Sequence, residues 1–410
     1  MVGRSNRVAV GILALVVALG GMASFGGQAG AASLGVPAPS RIGAQSLPAL
    51  ALDSQESTPH RGAVFAMTNE SGRNKIIEYE RARNGELRRV GSIRTRGRGI
   101  GTDLDTQGAL ILSRDNRFLY AANAGSDNVS VFSVRGSELT FVQKVYAMDV
   151  PNSLTMHGDL LYVLVGSVAG NGILGFKVAD NGRLTPLPKS FRELSSPIAV
   201  PGQVEFSPDG RLLLVTQKTS NVALSPRNAI DVFRVRPDGR TTMVPRRAAS
   251  HGLRPFSLAF RGDGDLVVVE AFNAADGKSA VSSYRVSDNG RLNVRSGSVR
   301  NRQTDACWIV VTRDGRHVFT ANFGSGTISS YRFTPTGKLR LKDGKAASLG
   351  MLSQPVDLAL SRDSRYLYLL LRGTGAVASF AIGDRGGLQR LGIETGGLPV
   401  ADGASGLAAY

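Results

Sequence analysis

Residues Thr312 to Arg340 read TRDGRHVFTANFGSGTISSYRFTPTGKLR, and the order of signals in that stretch recurs through most of the chain. It opens on a turn signal (Arg313, Asp314, Gly315) and continues as an apolar, β-prone run from His317 to Ala321. It then turns at Gly324 to Gly326, alternates through Ile328 to Phe333, and turns again at Thr336 and Gly337. Gly and Asp at such points favour tight turns, and the runs between them carry the period-two alternation of half-buried strands. The unit is strand, turn, strand, turn, strand.

Further copies run from Arg117 to Val134 (RFLYAANAGSDNVSVFSV), Asp159 to Val178 (DLLYVLVGSVAGNGILGFKV) and Arg365 to Ile382 (RYLYLLLRGTGAVASFAI). Looser copies end in AIDVFRV at Val235 and AVSSYRV at Val286, and a weaker one spans Ala63 to Tyr79. The residues at the centre of the first run are Phe65, Tyr120, Tyr162, Leu214, Val268, Phe319 and Tyr368, spaced by 55, 42, 52, 54, 51 and 49 residues. A four-stranded β-meander needs about 40 to 50 residues, and radial arrays of such sheets are β-propellers. The expected fold is all-β: a seven-bladed β-propeller of four-stranded antiparallel blades in one domain, residues 62–410. The 50 glycines suit a chain made of short strands and many tight turns.

Short apolar strands precede the turn signals at Ala109 to Leu112, Ser153 to Met156, Gln203 to Phe206, Ser257 to Phe260, Trp308 to Val311 and Asp357 to Leu360. These are six innermost strands. The first copy has none before it, and Gly403 to Ala409 (GASGLAA) at the C-terminus is expected to supply it, so that the ring closes without an open sheet edge.

At the N-terminus, Arg4 and Arg7 precede an apolar run from Val8 to Leu19, and Ala29-Gly30-Ala31 offers a small-residue cleavage site. This pattern predicts a Sec-type signal peptide over 1–31 and a secreted, periplasmic or cell-envelope location, with an uncleaved anchor as the alternative. Residues 32–61, rich in Ala, Pro, Gly, Ser and Gln, read as a flexible linker.

Cys307 is the only cysteine, which excludes an intrachain disulfide, and its apolar neighbours Trp308, Ile309 and Val310 make it a buried structural residue. The net charge is +17, and nine of the basic residues lie between Arg73 and Arg98 against Glu78, Glu80 and Glu86. That stretch has only Tyr79 among aromatics and no nucleic-acid-binding module, so no nucleic-acid partner is expected. It reads as a solvated basic face, or as a patch drawn to an anionic substrate or to anionic envelope polymers. There is no GxSxG elbow, HExxH, Cys/His metal pattern or P-loop. Asp103 and Asp105 in DLDTQG begin like a calcium loop, but Gln107 and Arg114 stand at ligand positions, so neither metal nor cofactor is expected.

The repeated RxLYxxN, NxVSxFxV and GxL elements, SPDGR at Ser207 to Arg211 and ACWIVVTRDGR at Ala306 to Arg316 resemble the lactonase family of seven-bladed propellers, which includes 6-phosphogluconolactonase and carboxymuconate-cyclase relatives. The resemblance covers nearly everything after Arg61. It implies a metal-independent lactone hydrolase, acting as a monomer on a small sugar-type or carboxylated lactone at the channel mouth. The alternative is a non-catalytic envelope propeller that binds sugars, peptides or anionic polymers.

In a propeller the starts of the innermost strands and the ends of the second strands lie on one face around the channel. The first column contributes Gln107, Asn152, Gln203, Arg254, Asp305 and Gln354, and the second Asn69, Asn123, Gln217, Glu270, Asn322 and Arg372. From these, Gln107, Asn123, Gln203, Gln217, Asp305 and Asn322 are expected to bind substrate. Lactone hydrolysis needs a base, an oxyanion partner and an acid. In SHGLRPF, His251 and Arg254 lie on a loop leading to an innermost strand, and Glu270 ends the next strand of the same blade; His251, Arg254 and Glu270 are the expected catalytic set. Family members with a VTEK-like element have Glu where this chain has Gln217 in VTQK, a departure from the catalytic pattern.

Overall fold

The computed structural model describes residues 62–168, 170–218 and 228–410. The signal segment and linker expected over 1–61 lie outside the described residues. Seven antiparallel sheets follow one another along the chain. Six inner strands, Leu110–Leu112, Pro151–His157, Val200–Phe206, Pro255–Phe260, Ala306–Val311 and Pro355–Leu360, fall where the apolar runs place them.

The seventh inner strand is Leu407–Ala409. It pairs antiparallel with Ala63–Met67, the second strand of the first blade, with Val64 opposite Ala409 and Ala66 opposite Leu407. Arg81 Nε adds a 3.0 Å hydrogen bond to the Tyr410 carbonyl. The ring is therefore closed by the C-terminus, and the first blade is completed by residues more than 300 positions away.

One blade departs from the plain four-strand plan. The third has its outer edge split into Leu184–Pro186 and Arg192–Glu193, both paired with Gly172–Val178. Pro186 and Pro188 lack the N–H a continuous ladder needs, so the strand breaks between them and resumes beyond.

The central aromatics that mark the repeat also join the blades. Tyr120 Oη donates to the Gly182 carbonyl (3.2 Å), Tyr162 to Gly239 (2.9 Å) and Tyr368 to Gly85 (3.1 Å), each time reaching an outer turn of the next blade. All three tyrosines are fully buried, so each ring fills the gap between two sheets while its hydroxyl stays satisfied. The turn glycines have positive φ, and a Cβ on Gly85 would lie 2.1 Å from the Tyr366 ring, so no other residue fits that close approach.

Four of the turns between inner and second strands share one construction. In Ser207-Pro208-Asp209-Gly210-Arg211 the serine donates to Asp209 Oδ1 (2.6 Å), which also accepts the Arg211 amide, while Arg211 Nε reaches Oδ2 (2.5 Å). The same bonds recur at Ser113/Asp115/Arg117, Thr312/Asp314/Arg316 and Ser361/Asp363/Arg365. At the opposite face, the pairing of inner and second strands slips in five blades, between Pro151/Ser153, Pro201/Val204, Pro255/Leu258, Ala306/Trp308 and Pro355/Leu358. Such bulges bend a strand and re-aim its side chains. Here they sit at the channel mouth. Among the described residues, no helix is long and apolar enough to cross a membrane.

Candidate functional site

The loop from the first blade into the second does not stay on the rim. Its segment Asp103–Gln107 crosses the mouth. Thr106 Oγ1 donates to the Asn152 carbonyl (2.7 Å), and the Thr106 carbonyl accepts Trp308 Nε1 (2.8 Å). Gln107 Nε2 donates to the Ile309 carbonyl while its Oε1 accepts the Ile309 amide, both at 2.9 Å, so this amide pairs with an inner strand on the far side of the ring. The Gln107 carbonyl accepts Ser153 Oγ (2.6 Å).

On that segment stand two carboxylates that meet cations from three other blades. Asp103 pairs with Arg372 (2.5 Å). Asp105 accepts Lys218 Nζ (2.6 Å) and Arg254 Nη2 (3.4 Å), and Arg254 Nη1 lies 4.0 Å from Asp305 Oδ1. Asp105, Arg254 and Asp305 all have positive φ, near 52° to 53°, backbone that aims these side chains inward at the cost of local strain.

Under the charges lies an aromatic floor. Lys218 Nζ sits 4.3 Å above the Phe256 ring, Arg372 stacks 4.6 Å from Phe323, and Trp308 lies between both rings. Lys218 is all but sealed, at 2 % exposure, whereas Arg254 and Asp305 keep 24 % and 17 % of their side chains open. Burial pushes the Asp305 carboxyl above the ordinary carboxylate range against the pull of Arg254. Burial, then neighbouring Asp105, push Asp103 the same way. Cys307, buried as expected, points its thiol at Asp305 Oδ1 (3.4 Å), and burial raises that thiol well above its usual value.

Of the expected catalytic set, Arg254 reaches the mouth and the other two do not. Glu270 is fully buried within its blade, where Oε1 accepts Gly252 N (2.8 Å) and Ser282 Oγ (2.5 Å) and Oε2 accepts Ser298 Oγ (2.7 Å). His251 is exposed and its Nδ1 meets the same Ser298 Oγ at 2.9 Å, on the outer strand of the blade. The loop places Arg254 toward the axis and His251 toward the periphery, so the three side chains do not converge.

The expected substrate-binding residues need a similar correction. Asn123 is buried and spent on Asn128 Oδ1 (2.9 Å), Ser130 Oγ (2.9 Å) and Asn74 Nδ2 (3.0 Å), a bond to the preceding blade. Asn322 repeats this with Thr327, Ser329 and Asn301. Gln217 donates to Ser195 Oγ (2.9 Å) and to Asp231. Gln203 accepts the Leu258 amide (2.9 Å) and donates to Glu205 (3.2 Å). A buried amide at a strand end needs partners, and the neighbouring strands and loops supply them to all but Gln217 Oε1, which meets none among the described residues, so these groups hold blades rather than face ligand. Gln107 is held by Ile309. Only Asp305 of the six stands in the charged mouth.

Three residues of the mouth were missed as site candidates. Asp103 and Asp105 carry the signal of two acids in a loop but read as a failed calcium loop, and Lys218 ends the VTQK element, where attention fell on Gln217 instead. Arg372 appeared only as a member of a column.

A closed seven-bladed ring with a charged, partly open axial mouth defines a propeller whose site is built by loops from several blades. The family model described as Lactonase, 7-bladed beta-propeller, matches residues 59–201 and 270–354, together more than half of the chain. The chain belongs to that family. Among solved structures, it is similar to a provisionally assigned 6-phosphogluconolactonase from Bacteroides fragilis, at 17 % identity and TM-score 0.64, over 86 % of this chain and 98 % of that one. A periplasmic gluconolactonase from Pseudomonas aeruginosa shares 18 % identity at TM-score 0.61, over 85 % and 98 % of the two chains. A protein from Lactobacillus plantarum shares 16 % at TM-score 0.64, over 86 % and 99 %. At such identities these likenesses concern the fold. No curated protein matches the chain.

Proposed function

We propose that this propeller hydrolyses a small sugar-type or carboxylated lactone at its axial mouth, without a metal, and that it does so as an exported protein. The observation that carries the reading is Arg254, held between Asp105 at 3.4 Å and Asp305 at 4.0 Å and still open to solvent. A guanidinium so placed polarises a lactone carbonyl and stabilises the tetrahedral oxyanion. Asp305 is the mouth carboxylate with the loosest ionic contact; with its carboxyl raised by burial, it takes the proton from the attacking water and returns it to the leaving alkoxide. Lys218 and Arg372, pinned to Asp105 and Asp103, hold the two segment carboxylates in place.

Membership of the lactonase family supports the reaction class, and the N-terminal charge and hydropathy pattern supports export. A binding propeller is the second reading, favoured by the complete pairing of Asp103 and Asp105 and by Gln217 in place of a family glutamate. Hydrolysis of a panel of sugar and aliphatic lactones by the protein and by Arg254→Ala separates the two. Turnover lost in the variant supports the hydrolase, and a parent protein that opens no lactone supports the binding module.

A further inference from the structure

The face opposite the mouth carries a second charged site. Arg81, Arg83, Arg313, Arg362 and Arg365 line one pocket of about 380 Å³ with a single carboxylate, Asp363. That carboxylate is already committed: Arg365 Nε lies 2.6 Å from Oδ2 and Ser361 Oγ lies 2.7 Å from Oδ1. Burial opposes its ionisation, but the bonds from Ser361 and Arg365 outweigh it and hold Asp363 at about 2. Among the described residues, no carboxylate comes within 4.0 Å of Arg83, Arg313 or Arg362, and all three are exposed.

The backbones bearing these arginines come from three blades and are tied to one another. Tyr366 Oη donates to the Arg83 carbonyl (2.6 Å), and the Arg313 amide donates to Ser364 Oγ (2.9 Å). Arg313 Nη1 reaches the Arg362 carbonyl at 3.4 Å. Like charges are thus held side by side by neutral contacts, an arrangement that costs free energy until an anion fills it. Guanidinium groups are planar forks that bind phosphate oxygens two at a time.

We propose that this pocket, formed by the turns of the first, sixth and seventh blades, binds a multivalent phosphate: two or more phosphate groups on one molecule, bridged by Arg83, Arg313 and Arg362. It lies on the face away from the lactone site and is independent of that reading. The pocket has room for several phosphate groups, and its open side admits a chain as readily as a small molecule.

The test is calorimetric titration and thermal melting of the full protein with inorganic tripolyphosphate at low ionic strength. The parent binds and its melting temperature rises. The variant Arg83→Gln/Arg313→Gln/Arg362→Gln loses affinity by about tenfold or more, since each arginine supplies charge-assisted bonds. It melts no lower than the parent without ligand, because the change removes repulsion. Arg94→Gln/Arg96→Gln/Arg98→Gln, on the mouth face, retains the parent affinity. Long-chain polyphosphate bound more tightly per phosphate than tripolyphosphate indicates a polymer, and equal binding per phosphate a small molecule; both support the site. Equal binding by parent and pocket variant overturns the proposal, as does no binding by the parent. Citrate bound as tightly as tripolyphosphate overturns the phosphate assignment.

Discussion

Gln107 and Ile309, 202 residues apart, exchange two hydrogen bonds across the propeller axis, one from Gln107 Nε2 to the Ile309 carbonyl and one from the Ile309 amide to Gln107 Oε1, each 2.9 Å. A side-chain amide here does what a neighbouring strand would do, and it holds the segment bearing Asp103 and Asp105 over the mouth. An amide carries donor and acceptor side by side in that geometry, and an ionised carboxylate carries acceptors alone. Gln107→Glu keeps the shape, loses the donor and sets a carboxylate against a carbonyl. A loss of about 1 to 3 kcal/mol is expected for such an unmet, partly buried bond, read as a lower urea midpoint. An unchanged midpoint would count against the axial role.

Closure of the ring rests on three residues of strand and a few side-chain bonds. Removing 403–410 takes away Leu407–Ala409, the carbonyl that Arg81 holds and the Gly406 amide that donates to Asp357 Oδ2 at 2.6 Å. It opens an edge on Ala63–Met67 and takes from a buried carboxylate one of its two backbone donors. The truncated protein is expected to lose several kcal/mol of stability or to aggregate. A melting temperature equal to the parent's would refute the closure.

The mouth and the blade interior separate by mutation. Arg254→Ala is expected to lower kcat/KM for a lactone by about 100- to 1,000-fold, the scale of one lost oxyanion partner. Asp305→Asn should cost about 100- to 10,000-fold, the scale of a general base. Because burial raises the Asp305 carboxyl, the acidic limb of the rate profile should lie above the ordinary carboxylate range and vanish in the variant. His251→Ala, at the blade's outer strand, should keep the parent rate, whereas Glu270→Gln should lower stability by disturbing three buried bonds. A large rate loss in His251→Ala would return catalysis to the first-expected set.

Asp357 couples stability to pH. Burial pushes its carboxyl up to about 7, against the Gly406 amide that pulls it down. The folded protein therefore holds its proton more tightly than the unfolded chain, so this group's contribution is fully present below the unfolded value near 3.8, declines as pH rises toward 7, and is constant above. Glu205, raised by burial to about 7, acts in the same direction. Melting temperature should fall between pH 5 and pH 8 by more in the parent than in Asp357→Asn, with the variant the more stable of the two at pH 8. Parallel curves would remove Asp357 from the account.

Arg94, Arg96 and Arg98 test electrostatic attraction. All three are exposed, Arg94 lines an open groove with Glu70, Arg73 and Asp402, and Arg96 stacks 3.8 Å from Phe141. If they steer an anionic lactone, replacing them by Gln lowers kcat/KM and flattens its salt dependence while kcat holds. Identical salt profiles would reduce them to surface charge.

Much of the fold was legible because a repeat writes the same local physics seven times. Period-two apolar runs, turn residues at fixed offsets and a first copy lacking an inner strand determined blade number, strand order and C-terminal closure. The tyrosines that mark the repeat were readable as markers, though their bonds to the next blade's glycines were not. The broken outer strand of the third blade follows from Pro186 and Pro188, a local signal that the regularity of the other copies masks.

The site was less legible, since it depends on which way a side chain turns at the end of a strand. Asn123, Gln217, Glu270 and Asn322 share a column with Arg372, and position at a strand end does not tell which of them reaches the axis. Packing decides otherwise: short amides and a carboxylate find partners within and between blades and are buried, while a long guanidinium reaches the axis. The path of Asp103–Gln107 is likewise invisible locally, because its partners Asn152, Lys218, Arg254, Ile309 and Arg372 are brought to it by ring closure alone. Residue order determined the blades, through short-range alternation and turn chemistry. Only the closed ring decided the site, because its charges come from five parts of the chain that meet nowhere but at the axis.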